Sequence, residues 1–225
     1  MSRLLLLGAA FAALSTAPAF AQTGGRVAVG AQIGTTGLGA EVQVQATPMV
    51  TLRAGGDMFK YDEEAETDDY SYDAELDFST LSAFVDLHPF QNPFFVSGGI
   101  YLGERTVSVD GRANSNVTYG GQTFTPDQFG RLVGDADFGD SAPFLGIGWN
   151  NTFRTAGPIG FKIVAGATFG SDPTVDLRRE GGMTLPTNIQ AAVDAEIQAE
   201  EDDLERELED FKILPVLQAG VTYRF

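Results

Sequence analysis

The sequence predicts an all-β protein: an eight-stranded antiparallel up-and-down transmembrane β-barrel, with an amphipathic helix in its last outer loop. Three observations support this fold. Eight segments alternate apolar and polar residues with period two, as strands with one apolar face do. Their links alternate between short turns and long acidic loops, an asymmetry typical of transmembrane barrels. The N-terminal segment has the pattern of an export signal.

Residues 1–21 are predicted to form a signal peptide. Arg3 supplies the positive charge, an apolar run from Leu4 to Leu14 follows, and Ala19-Phe20-Ala21 forms a small-x-small cleavage site. The apolar run is too short for a membrane-spanning helix, which needs about 20 residues. We therefore expect export by the general secretory route and a mature chain, residues 22–225, that forms one barrel domain.

Composition restricts the possible functions. The chain has no cysteine, which excludes disulfides, thiolate metal sites and a lipid-modified N-terminal cysteine. Its formal net charge of −17 makes nucleic acid an unexpected partner. Glycine accounts for 27 of the 225 residues, which suits sheets whose backbones approach closely. We expect no cofactor and no metal ion.

The first three predicted strands cover residues 26–33, 38–45 and 50–58. In each strand apolar residues at every second position alternate with polar or small ones, as Val42 and Val44 alternate with Glu41 and Gln43. Turns that contain glycine or proline separate the three strands. The pattern therefore predicts a meander of antiparallel strands.

The fourth predicted strand, residues 76–87, contains a break in its alternation. Leu76 and Phe78 follow one phase, whereas Leu81 and the apolar residues after it follow the other. We expect a β-bulge near Ser79-Thr80, because one extra residue would restore a single apolar face. The four remaining strands are predicted over residues 94–105, 145–150, 159–169 and 217–225.

The long links are expected near residues 61–72, 110–142 and 172–211, and the short ones near 47–49, 88–93 and 154–158; the first link, at 35–37, is also short. Segment 188–210 changes period, because its apolar residues recur every three or four positions. It is predicted to be an amphipathic helix with a strongly acidic opposite face. Either this helix packs its apolar stripe on the barrel rim, or it acts as a lid or a cation-mediated contact with lipopolysaccharide.

A soluble eight-stranded barrel around a ligand would show the same alternation, because the alternation does not say which face is inside. Three features favour the membrane. The polar phase is rich in glycine, lysine occurs only at Lys60, Lys162 and Lys212, and the last strand ends on aromatic residues. We retain the soluble barrel as the alternative fold.

The polar phase carries charges of both signs in equal number. In a narrow lumen these residues should form a paired network, because an unpaired buried charge is strongly unfavourable. The predicted members are Arg26, Arg53, Arg105, Lys162, Arg224, Glu41, Asp57, Glu75, Asp77 and Asp86.

The last strand resembles the C-terminal assembly signal of outer-membrane barrels, which has a terminal aromatic residue, another aromatic two positions earlier and apolar residues at every second position before it. The matching residues are Leu217, Ala219, Val221, Tyr223 and Phe225. The resemblance implies that periplasmic chaperones and the barrel assembly machinery recognise the chain.

Three further segments resemble motifs of small outer-membrane β-barrel proteins of Gram-negative bacteria. They are Asp86-Leu87-His88-Pro89-Phe90 with Asn92 and then Ser97-Gly98-Gly99, Pro143–Trp149, and Leu214–Leu217 leading into Gly220–Phe225. The resemblance implies an eight-stranded barrel of the OmpA kind, integral to the outer membrane, with its lipids and lipopolysaccharide as partners. It implies no biochemical activity, because fold alone does not determine function.

No enzymatic activity is expected. The resemblance implies that enzymes among these barrels use a histidine near the outer rim or on the lipid-facing wall. His88, the single histidine, instead adjoins Pro89 in a predicted periplasmic turn. The acidic run Asp135–Asp140 lacks the remaining ligands of a calcium loop. We therefore expect a non-enzymatic role in the envelope or in surface interaction; the alternatives are a narrow channel for ions or small solutes and, third, a lipid-modifying enzyme.

Overall fold

The computed structural model describes residues 25–66, 70–119 and 121–225. The predicted signal peptide lies outside these residues. The described chain is mostly antiparallel β-sheet, with two α-helices and a 3₁₀ turn. The strands are β1 (Val27–Gly34), β2 (Gly37–Thr47), β3 (Val50–Glu66), β4 (Tyr70–Leu87), β5 (Phe94–Ala113), β6 (Val117–Tyr119), β7 (Gln122–Phe124), β8 (Arg131–Asp137), β9 (Ser141–Asn150), β10 (Ile159–Phe169), β11 (Thr174–Glu180) and β12 (Ile213–Arg224). The helices are α1 (Pro126–Phe129) and α2 (Thr187–Leu208), and the 3₁₀ turn is Glu209–Lys212.

Eight strands pair in a cyclic order, which we call the ring. β1 to β5 are successive antiparallel neighbours, β5 also pairs with β9, β9 with β10, β10 with β12, and β12 with β1. Each of the eight predicted strands falls largely within one of these ring strands. Each ring strand has two neighbours, which is the connectivity of an up-and-down barrel.

At one end the sheet continues beyond the ring. β3, β4 and β5 are 17, 18 and 20 residues long, β8 pairs with the end of β5, and β11 pairs with β8. We call this part, residues 59–66, 70–78, 106–119, 121–140 and 170–212, the extension. The prediction of long loops in these regions was wrong, because the strands keep pairing after they leave the ring.

The predicted bulge near Ser79-Thr80 is also absent. Phe78 pairs with Phe59 on one side and Arg105 on the other, Ser79 pairs with Met58 and Glu104, and neither ladder shifts its register. The change of phase in the sequence therefore has a different cause, which the faces of the sheet reveal below.

Helix α2 forms where the sequence predicts an amphipathic helix over 188–210. It buries Val193 and Ile197 against the inner side of the extension, in one cluster with Phe124, Phe129 and Leu185. Of the helices in the described part of the chain, none has the length and apolar character needed to cross a membrane.

Candidate functional site

Charged side chains from four strands meet inside the ring. Glu41 on β2, Arg53 on β3, Asp86 on β4 and Lys162 on β10 all point inward because residues at every second position of a strand share a face. Each is at most 6% exposed. The predicted lumen residues therefore do include a group that the structure brings together.

Two cations share three carboxylate contacts in this group. The Arg53 guanidinium donates two hydrogen bonds to the Asp86 carboxylate, from Nε to Oδ2 at 2.6 Å and from Nη2 to Oδ1 at 3.1 Å. Its Nη1 donates to Glu41 Oε2 at 3.2 Å, and Lys162 Nζ donates to the same oxygen at 2.5 Å. Bidentate, charge-assisted bonds of this kind fix the orientation of the guanidinium as well as its position.

Uncharged polar side chains extend these contacts around the ring. Gln32 Oε1 accepts from Lys162 Nζ, and Gln32 Nε2 donates to Asp57 Oδ1, each at 2.7 Å. On the other side Arg53 Nη2 donates to Ser97 Oγ at 3.2 Å. Gln32 and Ser97 thereby link β1 and β5 to the charged group.

A second branch reaches the two remaining strands. Gln43 donates to Glu41 Oε1 at 2.7 Å and accepts from Asn150 Nδ2 at 3.0 Å. Asn150 Oδ1 in turn accepts from Thr152 Oγ1, which contacts Thr222 Oγ1 at 2.7 Å. Side-chain hydrogen bonds thus connect all eight strands of the ring; we call this set the lumen cluster.

Aromatic side chains fill space beside the lumen cluster. The Arg53 guanidinium carbon lies 4.5 Å from the Phe84 ring centre and 5.7 Å from that of Phe95. Phe84 makes edge-to-face contacts with Tyr101 and Phe144 at 5.1 and 5.2 Å. Cation–π and edge-to-face geometries are both favourable. The inside of the ring is therefore a packed core.

Glu75 and Asp77 do not belong to the lumen, and their prediction was wrong. Without a bulge, both share the outward face of β4 with Leu81. They lie in the extension, and Asp77 forms an exposed ion pair with Lys60 of β3.

Three predicted arginines also lie apart from the lumen cluster. Arg26 is exposed, whereas Arg105 is buried on β5 where the ring meets the extension. Arg105 donates to the backbone carbonyls of residues 138, 139 and 141, and Arg224 donates to those of residues 155 and 157. Backbone carbonyls satisfy both guanidinium groups because the chain reverses direction at the ends of the ring.

His88 has the structural surroundings expected of it. Its Nδ1 lies 3.1 and 3.0 Å from the carbonyl oxygens of Asn92 and Phe94, so this nitrogen carries the proton. Burial lowers the pKa of the imidazole below its ordinary value of 6.5, which favours the neutral ring. The hydrogen bonds of His88 thus stabilise the 88–93 turn.

The acidic run at 135–140 does not converge on one point. Asp135 lies in strand β8 and contacts Arg178 and Ser108, whereas Asp137 accepts from the backbone NH of Gly139. Within the three described ranges, no group of three or more histidine or carboxylate side chains is placed to hold a metal ion.

The apolar face of the sheet changes sides between the ring and the extension. Outward residues of the ring are apolar and exposed; Met58 is 58% and Leu81 69% exposed. On the same outward face, the next residue of β3 after Met58 is Lys60, and it pairs with Asp77 of β4. Both of these residues are charged. On the inward face of the extension the residues are apolar, as Val107 is. This exchange explains the change of phase in β4. The sequence analysis missed it because it assumed that the same face of the strand is apolar along its whole length.

Comparison with protein-family models and with curated proteins finds no match. Among solved structures, CarO2 of Acinetobacter baumannii is similar, with a TM-score of 0.56 and 22% identity over 88% of this chain and 98% of that chain. CarO of the same organism gives 0.54 and 22% over 91% and 99%. A major outer membrane protein from Thermus thermophilus gives 0.41 and 13% over 88% and 99%. The chain shares with CarO2 and CarO an all-β fold of mostly antiparallel strands with few helices.

Proposed function

We propose that this chain is an integral outer-membrane protein whose ring spans the bilayer and whose extension stands outside the cell. Its role is non-enzymatic and lies in envelope structure or surface interaction. The observation that carries the proposal is the exchange of apolar and charged faces along β3, β4 and β5.

The exchange is what a boundary between lipid and water requires. The ring exposes a continuous belt of large apolar side chains; its members include Ile33, Leu38, Leu52, Leu81, Leu145, Ile147, Phe161, Ile163 and Leu217, each at least 44% exposed. A soluble protein rarely exposes an apolar surface of this extent. A soluble barrel would keep one polar outer face over the whole length of its strands, so the exchange speaks against that alternative.

The distribution of charge supports the same assignment. Among the residues that the structure describes, the extension holds 25 of the 29 acidic ones and 7 of the 13 basic ones. Only four of these acidic residues lie elsewhere in the chain, namely Glu41, Asp57, Asp86 and Glu104. Three of these four lie inside the ring, where lipid does not meet them. The charge therefore lies where water would solvate it.

The packed lumen speaks against the channel alternative. An eight-stranded barrel is just wide enough for its interior to be filled by side chains. Here that interior holds the lumen cluster and the aromatic side chains of Phe84, Phe95, Tyr101 and Phe144. A conducting path would require these contacts to separate. A lipid-modifying enzyme would need a nucleophile with a base beside it, and the single histidine is committed to the 88–93 turn.

Outer-membrane lipids and lipopolysaccharide are the partners that this placement implies. For biogenesis we propose the last strand as the signal read by the barrel assembly machinery. Leu217, Val221 and Tyr223 lie outward and half-exposed on β12, and the Tyr223 and Phe225 rings pack at 5.3 Å. Deletion of Phe225 should lower the folded outer-membrane fraction, and an undiminished fraction would contradict this role.

Cysteine labelling of whole cells tests the topology, because the chain has no cysteine of its own. Gln198 is exposed on α2 in the extension, and Ala156 is exposed in the turn between β9 and β10. Gln198→Cys should react with an impermeant maleimide on intact cells. Ala156→Cys, the matched control, should react only after the outer membrane is broken. The reverse labelling pattern, or equal labelling of both variants, would overturn the proposal.

A further inference from the structure

A cavity of about 680 Å³ lies inside the extension. Its walls are the inward face of β5, β8 and β11 on one side and the C-terminal half of α2 on the other. Its volume falls in the range of small-molecule sites, about 300–1,000 Å³.

The cavity wall is apolar over most of its area. Strand β5 contributes Val107 and Val109, β11 contributes Val175 and Leu177, and α2 contributes Leu204 and Leu208. Exposed Asn116 and Thr118 also line it, so the cavity reaches the surface there. An apolar cavity of this kind attracts apolar molecules more than water, because its wall offers water few hydrogen bonds.

Helix α2 is fastened over the cavity by its glutamates. Glu201 Oε1 accepts from the backbone NH of Leu177 at 2.6 Å, and Glu205 Oε1 accepts from that of Val175 at 3.0 Å. β11 is the terminal strand of its sheet, so these bonds satisfy an otherwise free edge. The helix is thereby held away from the strand by the length of a glutamate side chain, and the space between its leucines and the sheet stays open.

Charge decides which apolar molecules can enter. Helix α2 carries eight acidic residues, Asp194, Glu196, Glu200, Glu201, Asp202, Asp203, Glu205 and Glu207, against the single Arg206. A negative potential of this kind disfavours the approach of anions to the cavity that the helix covers. Fatty acids and other anionic amphiphiles are therefore disfavoured. We infer that the cavity binds an uncharged, compact apolar molecule, a binding site beyond the proposed envelope role.

Two dyes that share an anilinonaphthalene core test the inference: neutral N-phenyl-1-naphthylamine and anionic 1-anilinonaphthalene-8-sulfonate. The full mature chain is reconstituted in phosphatidylcholine nanodiscs, and the fluorescence of empty nanodiscs is subtracted. The neutral dye should bind saturably at one site per chain. The anionic dye should bind at least about tenfold more weakly. Equal or tighter binding of the anionic dye would overturn the charge argument, and no saturable binding of the neutral dye would overturn the site.

Neighbouring residues on opposite faces of β5 provide matched variants. Val107→Trp fills the cavity and should abolish saturable binding of the neutral dye, whereas Thr106→Trp adds the same side chain to the outward face and should leave it unchanged. Retained binding in Val107→Trp would place the dye elsewhere and refute the site. If Val107→Trp does not fold, Ala136→Leu on the facing position of β8 should weaken binding, and unchanged affinity would refute the site equally.

The inference rests on the proposed function in one respect: the experiment places the protein in a bilayer. A chain that does not enter nanodiscs contradicts the membrane assignment. A chain that enters them and binds neither dye contradicts the cavity site alone.

Discussion

The ring and the extension are built from the same three strands, β3, β4 and β5, in one unbroken register, yet they turn opposite faces to the outside. In the ring the outward residues are apolar and the inward ones are charged or aromatic. In the extension the outward residues are mostly polar or charged and the inward ones are mostly apolar or aromatic. The register does not change between the two regions, so a bulge does not account for the pattern, whereas the proposed membrane boundary does. A change of phase within one strand can therefore mark a boundary between two solvents, without any bulge.

The ion pairs of the two regions also differ in kind. Arg53 and Asp86 are buried in the ring, with side chains at most 1% exposed. Lys60 and Asp77 in the extension have side chains 63% and 41% exposed. A buried pair that loses one partner leaves an uncompensated charge, whereas an exposed pair that loses one partner leaves a solvated one. Loss of one partner of an ion pair should therefore lower the free energy of unfolding strongly in the ring and only slightly in the extension.

The largest effect is expected from removing the lumen arginine. Arg53→Ala leaves Asp86 without its bidentate partner and Glu41 with Lys162 alone, and should destabilise the barrel by about 3–5 kcal/mol. Urea unfolding in lipid vesicles, followed by tryptophan fluorescence, measures this loss. Lys60→Ala on the same strand is the control and should leave the unfolding midpoint almost unchanged. Similar effects of the two substitutions would remove the energetic difference between the regions.

The next effect concerns the outward face. Ala83 lies in the apolar belt of β4, paired with Ala54 and Ile100, and Glu75 lies on the same face in the extension. Ala83→Arg should destabilise the folded protein by about 2–4 kcal/mol, the cost of arginine near the bilayer midplane. Glu75→Arg should have little effect because water solvates that position. The folded fraction on cold gels and the urea midpoint both report the difference. An equally mild result for Ala83→Arg would place the lipid boundary elsewhere.

The smallest effect on stability is expected from substitutions in α2, and it should be confined to the extension. Glu201→Ala and Glu205→Ala each remove the acceptor of a β11 backbone NH, and charge-assisted bonds of this kind contribute about 1.5–3 kcal/mol. Amide hydrogen exchange at Leu177 and Val175 should accelerate about tenfold or more, while ring amides keep their protection. Glu200→Ala, at an exposed position of the same helix, serves as the control. Faster exchange throughout the ring would show that the two regions unfold together.

Much of this architecture was predictable from local pattern. Period-two alternation indicates strands wherever one face is apolar, and each of the eight predicted segments falls largely in a ring strand. The helical spacing of Val193 and Ile197 predicts α2 with bounds close to the observed Thr187–Leu208. The charge balance predicts ion pairs inside the ring, and Arg53, Asp86, Glu41 and Lys162 form them.

Only the tertiary structure decides which faces and which strands meet. Alternation gives the relative side of each residue, but the side turned inward depends on what surrounds the sheet, and Glu75 and Asp77 were misplaced for that reason. β8 pairs with the end of β5, and β11 pairs with β8, although the sequence pattern predicted loops in both regions. The cavity under α2 likewise exists because two glutamates on the helix reach the edge of β11, 24 and 30 residues away along the chain. Sequence periodicity determined the elements; contacts between residues distant along the chain determined the lumen cluster, the extension and the cavity.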